Sequence, residues 1–593
     1  MSERVVFAPP LSEVPLPAPN VAALLKRNGL DAATADRPAL RFGDQVWTHA
    51  ELLAEAGRFA ALYRSRLDFR RPPHVAVLLD NTPDYVFALC GAAFLGAALV
   101  GLNHTRRDEH LARDIAHTDV QLLITEPRHQ PLLQPIAHRL DLPGGILVSE
   151  RFSEVDDPPS SLGEPLDRAL AVAWEGEIGQ GPAHASGDNC GPDVLWALLF
   201  TSGTSAAPKA VCCTQRRLLT TGQRMSTMLG LGPDDVGYAA MPLFHANSLM
   251  SGLAPALVTG ASLSLARRFS ASRFLPDVRH YGATWFNYTG KALAYLLATP
   301  ERVDDADNSL RIAFGNEGSP HVVEVAAARF GITIVDVFGS TEGAIALDRS
   351  GGPPRGSVGR LREGILVVDT DENEVPRARF DAEGCLTNAE ECVGEIVNTL
   401  GVGPFEGYYR NEEAMASTTR NGWYWSGDLA YVDEDGWVYF AGRTTDWLRV
   451  DGENFPAAPV EAIVARHPDV MMASVYGVPD ALSGDQVMVA LVLLPGVRFD
   501  GRSFAAWLGQ QSDLSPKWWP RFVRLCQELP TTPTNKILTR TLVHQRFRSD
   551  LVGGDPIYLH ERQENRFRPF TLKDEKALQR GFESNGRGHA WDL

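Results

Sequence analysis

Thr201, Ser202, Gly203, Thr204 and Ser205, followed by Pro208 and Lys209, form a run of small hydroxylated residues closed by a cation. Such a turn can aim backbone N–H groups and hydroxyls at phosphate oxygens, and the lysine adds a mobile positive charge. It is not a Walker A loop, because no glycine precedes the lysine. An ordinary linker has the same composition. A second chemical stretch, Phe338-Gly339-Ser340-Thr341-Glu342-Gly343, follows a β-branched run beginning at Ile332. There Thr341 can bond a phosphate oxygen, and Glu342 is a hard carboxylate ligand for Mg²⁺; a turn capped by Thr is the plain alternative. Asp428, after the Gly427 turn, can accept bonds from vicinal sugar hydroxyls. His245 follows Pro242-Leu243-Phe244 and places an imidazole beside bulky apolar side chains. Trp285, Phe286 and Tyr288 are most simply core, but near the turn 315–320 they could wall a pocket. Lys536 lies in a polar loop before Ile537 and Leu538, where a lone lysine is ordinarily solvated charge.

The elements that must position these groups alternate in type. Residues 74–80 read as a strand, 85–102 as a buried helix, a turn near Gly96 and a short core strand, and 120–126 and 145–150 as further strands. Strand–helix–strand at this spacing implies a parallel sheet. Apolar residues up to Phe200 form the strand before the hydroxyl-rich turn, and a helix is expected over 215–229. Residues 238–250 read as a strand end and loop, and 332–337 as the strand delivering Thr341 and Glu342. Short strands and turns over 355–439 indicate a β-rich subdomain, and the remainder after 461 a small α+β domain with a helix at 503–512. Residues 1–37 are expected to wrap the surface, and the Gly, Pro, Ser and acid-rich 154–193 to form a surface insertion. These elements indicate an α/β fold with a β-rich subdomain and a small α+β C-terminal domain.

At 593 residues, 44% hydrophobic and 22% charged, the chain has the composition of a globular protein of several domains. A net charge of −17 disfavours wrapping nucleic acid or sitting on anionic lipid. The seven cysteines show no C-x-x-C spacing, so neither a disulfide framework nor a zinc site is indicated, which suits a reducing cytoplasm. The stretch 85–102 is uncharged and about long enough to span a bilayer, but its glycines and its helix-start signal favour burial in a core. No membrane span is expected.

Taken together, LLFTSGTSAAPKAV, PLFH, FGSTEG, WSGDL, GRTTDWLRVDGEN and PTNKILTR resemble, in order and spacing over about residues 40–545, the adenylate-forming superfamily of acyl-CoA ligases, luciferases and peptide-synthetase adenylation domains. WLRVDGENF, TNKILTR and the tail 555–570 look like the fatty-acid-transport and very-long-chain acyl-CoA synthetase branch, most similar to actinobacterial ligases for fatty or steroid side-chain acids. The resemblance implies a large N-terminal domain of two doubly wound α/β subdomains plus the β-rich subdomain, and a small mobile α+β C-terminal domain. It also implies two half-reactions. A carboxylate attacks the α-phosphate of ATP, and the thiol of coenzyme A then displaces AMP. It implies that Thr201, Ser202, Gly203, Thr204, Ser205 and Lys209 cradle phosphates, that Thr341 binds the α-phosphate and that Glu342 holds Mg²⁺. By the same resemblance Gly315, Asn316, Glu317, Gly318 and Gly339 line the adenine, and Asp428 and Arg443 hold the ribose. Lys536 reaches the acyl carboxylate, stabilising the charge that builds in adenylation. His245 borders the acyl pocket, walled by Trp285, Phe286 and Tyr288. Thr445 marks a hinge at 443–446 between domains 1–442 and 447–593, and Asp451 and Gly452 border the pantetheine tunnel.

One departure stands out. Ala206 occupies the position of the family's second loop glycine, and a Cβ there can forbid positive φ and close approach to phosphate. The expected function is an ATP-dependent acyl-CoA ligase for a large apolar acid (fatty, steroid side-chain or terpenoid). The alternatives are an adenylation-impaired member that passes a pre-made acyl-adenylate to coenzyme A, and an acyl-binding or transport protein.

Overall fold

The computed structural model describes residues 15–591, apart from 176–189, 202–207, 317, 319, 350–351, 355, 381–385, 444–446, 451–452, 483, 512, 533–535, 586 and 589–590. Among these, two seven-stranded sheets carry the first half of the chain. One is ordered Glu164–Pro165, Gly145–Val148, Val120–Thr125, His74–Leu78, Ala98–Gly101, Leu195–Phe200, Ala210–Thr214. Its strands are parallel except for the last pair, which is antiparallel and brackets the hydroxyl-rich turn. The sheet's apolar runs are buried on both faces, as a sheet covered by helices requires. The helix Pro83–Leu95 is apolar on every side beyond Asp84 in its first turn and is almost wholly buried. It stops at Gly96, whose φ of 64° is left-handed, so the chain turns directly into Ala98–Gly101.

The second sheet runs Thr333–Asp336, Ile312–Asn316, Trp285–Thr289, Val236–Ala239, Ser262–Leu265, Pro38–Phe42, Gln45–Thr48, and is parallel up to its final hairpin. An antiparallel sheet follows, built from Ser357–Arg360, Trp437–Arg443, Trp423–Val432, Gly394–Asn398 and Ile365–Val368. The C-terminal sheet is mixed, in the order Val470–Pro479, Asp485–Leu493, Phe522–Leu525, Ile557–Glu561, Arg566–Pro569. One of its cores starts at Leu448 and holds Phe455, Val489, Phe504 and Phe567. Another joins Met472, Tyr476, Phe547 and Phe582 to Ala294 on the helix Gly290–Leu297, so the C-terminal unit packs against the second sheet's layer. The fold is the expected α/β plan.

Three local expectations are corrected. Residues 1–37 do not merely wrap the surface: Asn20 caps the helix Val21–Leu30, and Val21, Ala22, Leu24 and Leu25 enter the main core. The stretch 154–193 is not all surface, because Leu166–Glu175 is a helix that buries Leu166, Ala169 and Leu170 at helical spacing in that core. Within 238–250 the loop is short; Ala246–Ser248, the π-helical Leu249–Leu253 and Ala254–Thr259 form a continuous helical run. The helix Gln215–Leu229 has the expected bounds. No helix among the described residues is long and apolar enough to cross a membrane.

Candidate functional site

The backbone N–H of Thr201 donates to the Lys209 carbonyl at 3.0 Å, so both ends of the hydroxyl-rich turn are pinned. Beside it runs 407–411. The Cys212 N–H donates to the Gly407 carbonyl, the Tyr409 N–H donates to the Ala210 carbonyl, and the Asn411 side chain donates to the Pro208 carbonyl at 2.8 Å. This places Tyr408 at the exit of the turn. Its hydroxyl donates to Glu342 Oε1 at 2.7 Å, and Lys209 Nζ lies 5.6 Å from its ring centroid. Burial and the Glu342 carboxylate push the Tyr408 hydroxyl well above the usual tyrosine range, so it remains a donor. Arg217, on the helix after the turn, donates to the Thr341 and Glu342 carbonyls, the latter at 3.0 Å. Lys209, Tyr408, Glu342 and Arg217 thus join two stretches more than 130 residues apart in sequence (209 and 342) into one constellation. Tyr408 and Arg217 carry no signal in a sequence read motif by motif; their roles come from long-range register.

The nucleotide-facing candidates end neighbouring parallel strands. Gly315 pairs with Tyr288 in the sheet, and a Cβ on Gly315 would fall 2.4 Å from the Tyr288 carbonyl oxygen, so only glycine fits. Asn316 closes the same strand with a buried Oδ1 that has no partner. Asp336 ends the next strand and accepts from the Tyr288 hydroxyl at 2.7 Å and from the Gly318 N–H at 2.9 Å. Gly339 follows it with open space around its Cα. Asp428 is buried on Trp423–Val432, directly opposite Arg443 across the antiparallel pair.

His245 is half-buried, with a buried Nε2 lacking a partner and its ring 4.5 Å from that of Phe244. Burial, then the charges of Lys536 and His104, push its pKa down to about 3, so it is neutral. Lys536 belongs to the C-terminal unit. A small loop holds it: its N–H donates to Thr532 Oγ1 at 3.1 Å and its carbonyl accepts from the Thr532 N–H at 2.8 Å. Trp285 and Phe286 sit as core side chains. Trp285 lies on Gly237, where a Cβ would come 2.5 Å from the indole, and Phe286 lies 4.9 Å from Phe274 between ring centroids. Tyr288 is held among buried aromatics by Asp336. Ser202, Gly203, Thr204, Ser205, Ala206, Glu317, Thr445, Asp451 and Gly452 lie outside the described residues.

Asp80, Glu126 and His129 bring metal-ligand atoms together. Arg128 and Arg267 already bind the two carboxylates, at 3.0 and 2.7 Å, and His129 bonds Asp80 at 3.0 Å, so the cluster is a charge-balanced brace.

Residues 29–409 match the AMP-binding enzyme family, and residues 459–536 match the AMP-binding enzyme C-terminal domain. The chain belongs to the AMP-binding enzymes. Within the family it is 45% identical to the steroid-22-oyl-CoA synthetase of Rhodococcus jostii, over 93% of this chain and 96% of that protein. It is 44% identical to the medium/long-chain-fatty-acid–CoA ligase FadD17 of Mycobacterium marinum, over 89% and 96%. Among solved structures of similar fold is the anthranilate CoA ligase AuaEII in complex with anthranoyl-AMP, with a TM-score of 0.74 and 23% identity over 90% of this chain and 98% of that one. The AMP-binding enzyme assignment matches the sequence resemblance in both halves of the chain.

Proposed function

We propose that this AMP-binding enzyme is an acid–thiol ligase that converts a large apolar carboxylic acid, of the steroid side-chain or medium/long-chain fatty class, to its coenzyme A thioester through an acyl-adenylate. The observation that supports this reading is the tie between the hydroxyl-rich turn and the Thr341-Glu342 stretch: the Tyr408 hydroxyl donates to Glu342 Oε1 at 2.7 Å, and Lys209 Nζ lies 5.6 Å from the Tyr408 ring centroid. The names of the two bacterial relatives support the substrate class.

In the first half-reaction a carboxylate oxygen of the acid attacks the α-phosphorus, and the bond to pyrophosphate breaks. Lys536 faces the negative charge that accumulates between acid and α-phosphate, while neutral His245 leaves that role to the lysine. Thr341 bonds the α-phosphate, and Lys209, held over Tyr408, neutralises the departing pyrophosphate. Asn316 fits a nucleotide base, because its orphaned buried oxygen can accept from an exocyclic amine. Glu342 fits Mg²⁺: it is a hard donor with one oxygen oriented by Tyr408 and a second oxygen to offer. Bound there, the ion would offset phosphate charge. Asp428 and Arg443 take the ribose. In the second half-reaction the thiol attacks the acyl carbon and AMP leaves, with Asp451 and Gly452 beside the pantetheine and rotation at Thr445 exchanging the faces of domain 447–593 against 1–442. Acid-dependent exchange of labelled pyrophosphate into ATP, followed by thioester formation when coenzyme A is added, tests the reading; no exchange with any steroid side-chain or fatty acid sinks it.

A further inference from the structure

The helical run beyond His245 is not uniformly apolar, since it carries Asn247 and Ser248. The π-helical turn Leu249–Leu253 interrupts the helical run that starts after His245, and such turns concentrate at functional sites. Beneath this run lies the strand Trp285–Thr289. Asn247 donates its Nδ2 to the Tyr288 carbonyl at 3.1 Å, and Asn287 donates its Nδ2 to Asn247 Oδ1 at 2.6 Å. The direction of this chain is fixed. A backbone carbonyl only accepts, so Asn247 must turn its amine to Tyr288 and its oxygen to Asn287. Asn287 is left with its own oxygen, buried and without a hydrogen-bond partner, and the hydroxyl of fully buried Ser248 on the facing run is unpartnered too. Gly252 lies directly over that oxygen; a Cβ there would come within 3.1 Å of it. Buried polar groups are ordinarily satisfied, and a position that only filled space would be served by an apolar residue.

We propose that Asn287 Oδ1 accepts a hydrogen bond from a hydroxyl on the acyl group, so that the natural substrate is a bulky hydroxylated carboxylic acid and not a saturated hydrocarbon chain. The inference rests on the acyl-CoA ligase reading above. The ligand group must be a donor, because a ketone, ether or methyl leaves the amide oxygen unpaired. Gly252 is seven residues beyond His245 along the helical run, so the hydroxyl lies on the order of 10 Å from His245.

The test compares cholanic acid, a steroid side-chain acid without hydroxyls, with lithocholic, chenodeoxycholic and deoxycholic acids. Lithocholic acid carries one hydroxyl at the far end of the ring system; the other two add a second nearer the carboxylate. Palmitic acid is the chain control, and acid-dependent pyrophosphate release is the readout. For the native enzyme, kcat/KM for chenodeoxycholic or deoxycholic acid is expected to exceed that for cholanic acid by about tenfold or more. In Asn287→Leu that ratio should fall to near one, with cholanic acid still turned over. Equal kcat/KM across the steroid acids in the native enzyme, a hydroxyl preference that survives Asn287→Leu, or better use of palmitic acid than of any hydroxy acid would overturn the inference. Absence of pyrophosphate release with every acid would instead overturn the ligase reading, and this inference with it.

Discussion

Tyr408 shows how much of the site lies in single side chains that no motif marks. Its hydroxyl is the structural tie between Glu342 and the exit of the hydroxyl-rich turn. Removing that hydroxyl leaves Glu342 free to swing, while Lys209 keeps an aromatic ring beneath it. Tyr408→Phe is therefore expected to raise the Mg²⁺ concentration needed for half-maximal pyrophosphate release by roughly tenfold, the scale of one lost charge-assisted hydrogen bond. Transfer from synthetic acyl-AMP to coenzyme A should change much less. An unchanged Mg²⁺ dependence would mean that Glu342 does not rely on Tyr408. The sequence marked Thr341, Glu342 and Lys209 as candidates because each sits in a short run of unusual composition, and Lys536 only through the family resemblance. It could not make Tyr408, Arg217 or Asn287 legible, because their partners are 66, 124 and 40 residues away. Trp285 and Phe286 misled for the opposite reason: aromatic rings read alike whether they wall a cavity or fill a core, and burial on Gly237 and Phe274 decides it.

At the scale of elements, the ends of parallel strands gather charge as well as ligands. His129 follows the strand Val120–Thr125 and meets Asp80 and Glu126, which lifts its pKa to about 9 despite burial, while Asp80 is held down near about 2. Arg267, just after Ser262–Leu265, bonds Glu126 and so ties the two large sheets together. Because the His129 pKa is raised in the folded protein, its stabilisation is complete below the unfolded value near 6.5 and is lost as pH rises through about 9. The thermal midpoint of the native protein should fall across that window, and His129→Gln should flatten the dependence. Parallel slopes for the two proteins would remove His129 from the account. Strands were readable because β-branched runs bounded by turns have little other use. The helices Val21–Leu30 and Leu166–Glu175 were hidden by proline and acid on either side, although their apolar residues keep helical spacing. The tail hairpin Ile557–Glu561 and Arg566–Pro569 was equally opaque, since charged residues interrupt its apolar pattern and its partner, the central strand Phe522–Leu525, lies more than 30 residues earlier in the chain.

At the scale of the whole molecule, the account needs two units and one joint. The C-terminal unit shares a core with Ala294, and it carries Lys536. One arrangement cannot serve both half-reactions if Asp451 and Gly452 must later border the thiol. Thr445→Pro locks φ in the joint, so it is expected to slow thioester formation at least tenfold while pyrophosphate exchange persists. Equal effects on both would place the joint elsewhere. The central claim, that Lys536 stabilises adenylation in a ligase performing both halves, is tested most directly by measuring the half-reactions separately in native protein and Lys536→Ala. The account predicts acid-dependent ATP–pyrophosphate exchange in the native protein, a loss of roughly 10²-fold or more in Lys536→Ala, and near-native transfer from pre-made acyl-AMP to coenzyme A in both. Native protein that transfers acyl-AMP but exchanges no pyrophosphate, or a variant that loses both half-reactions equally, would contradict it.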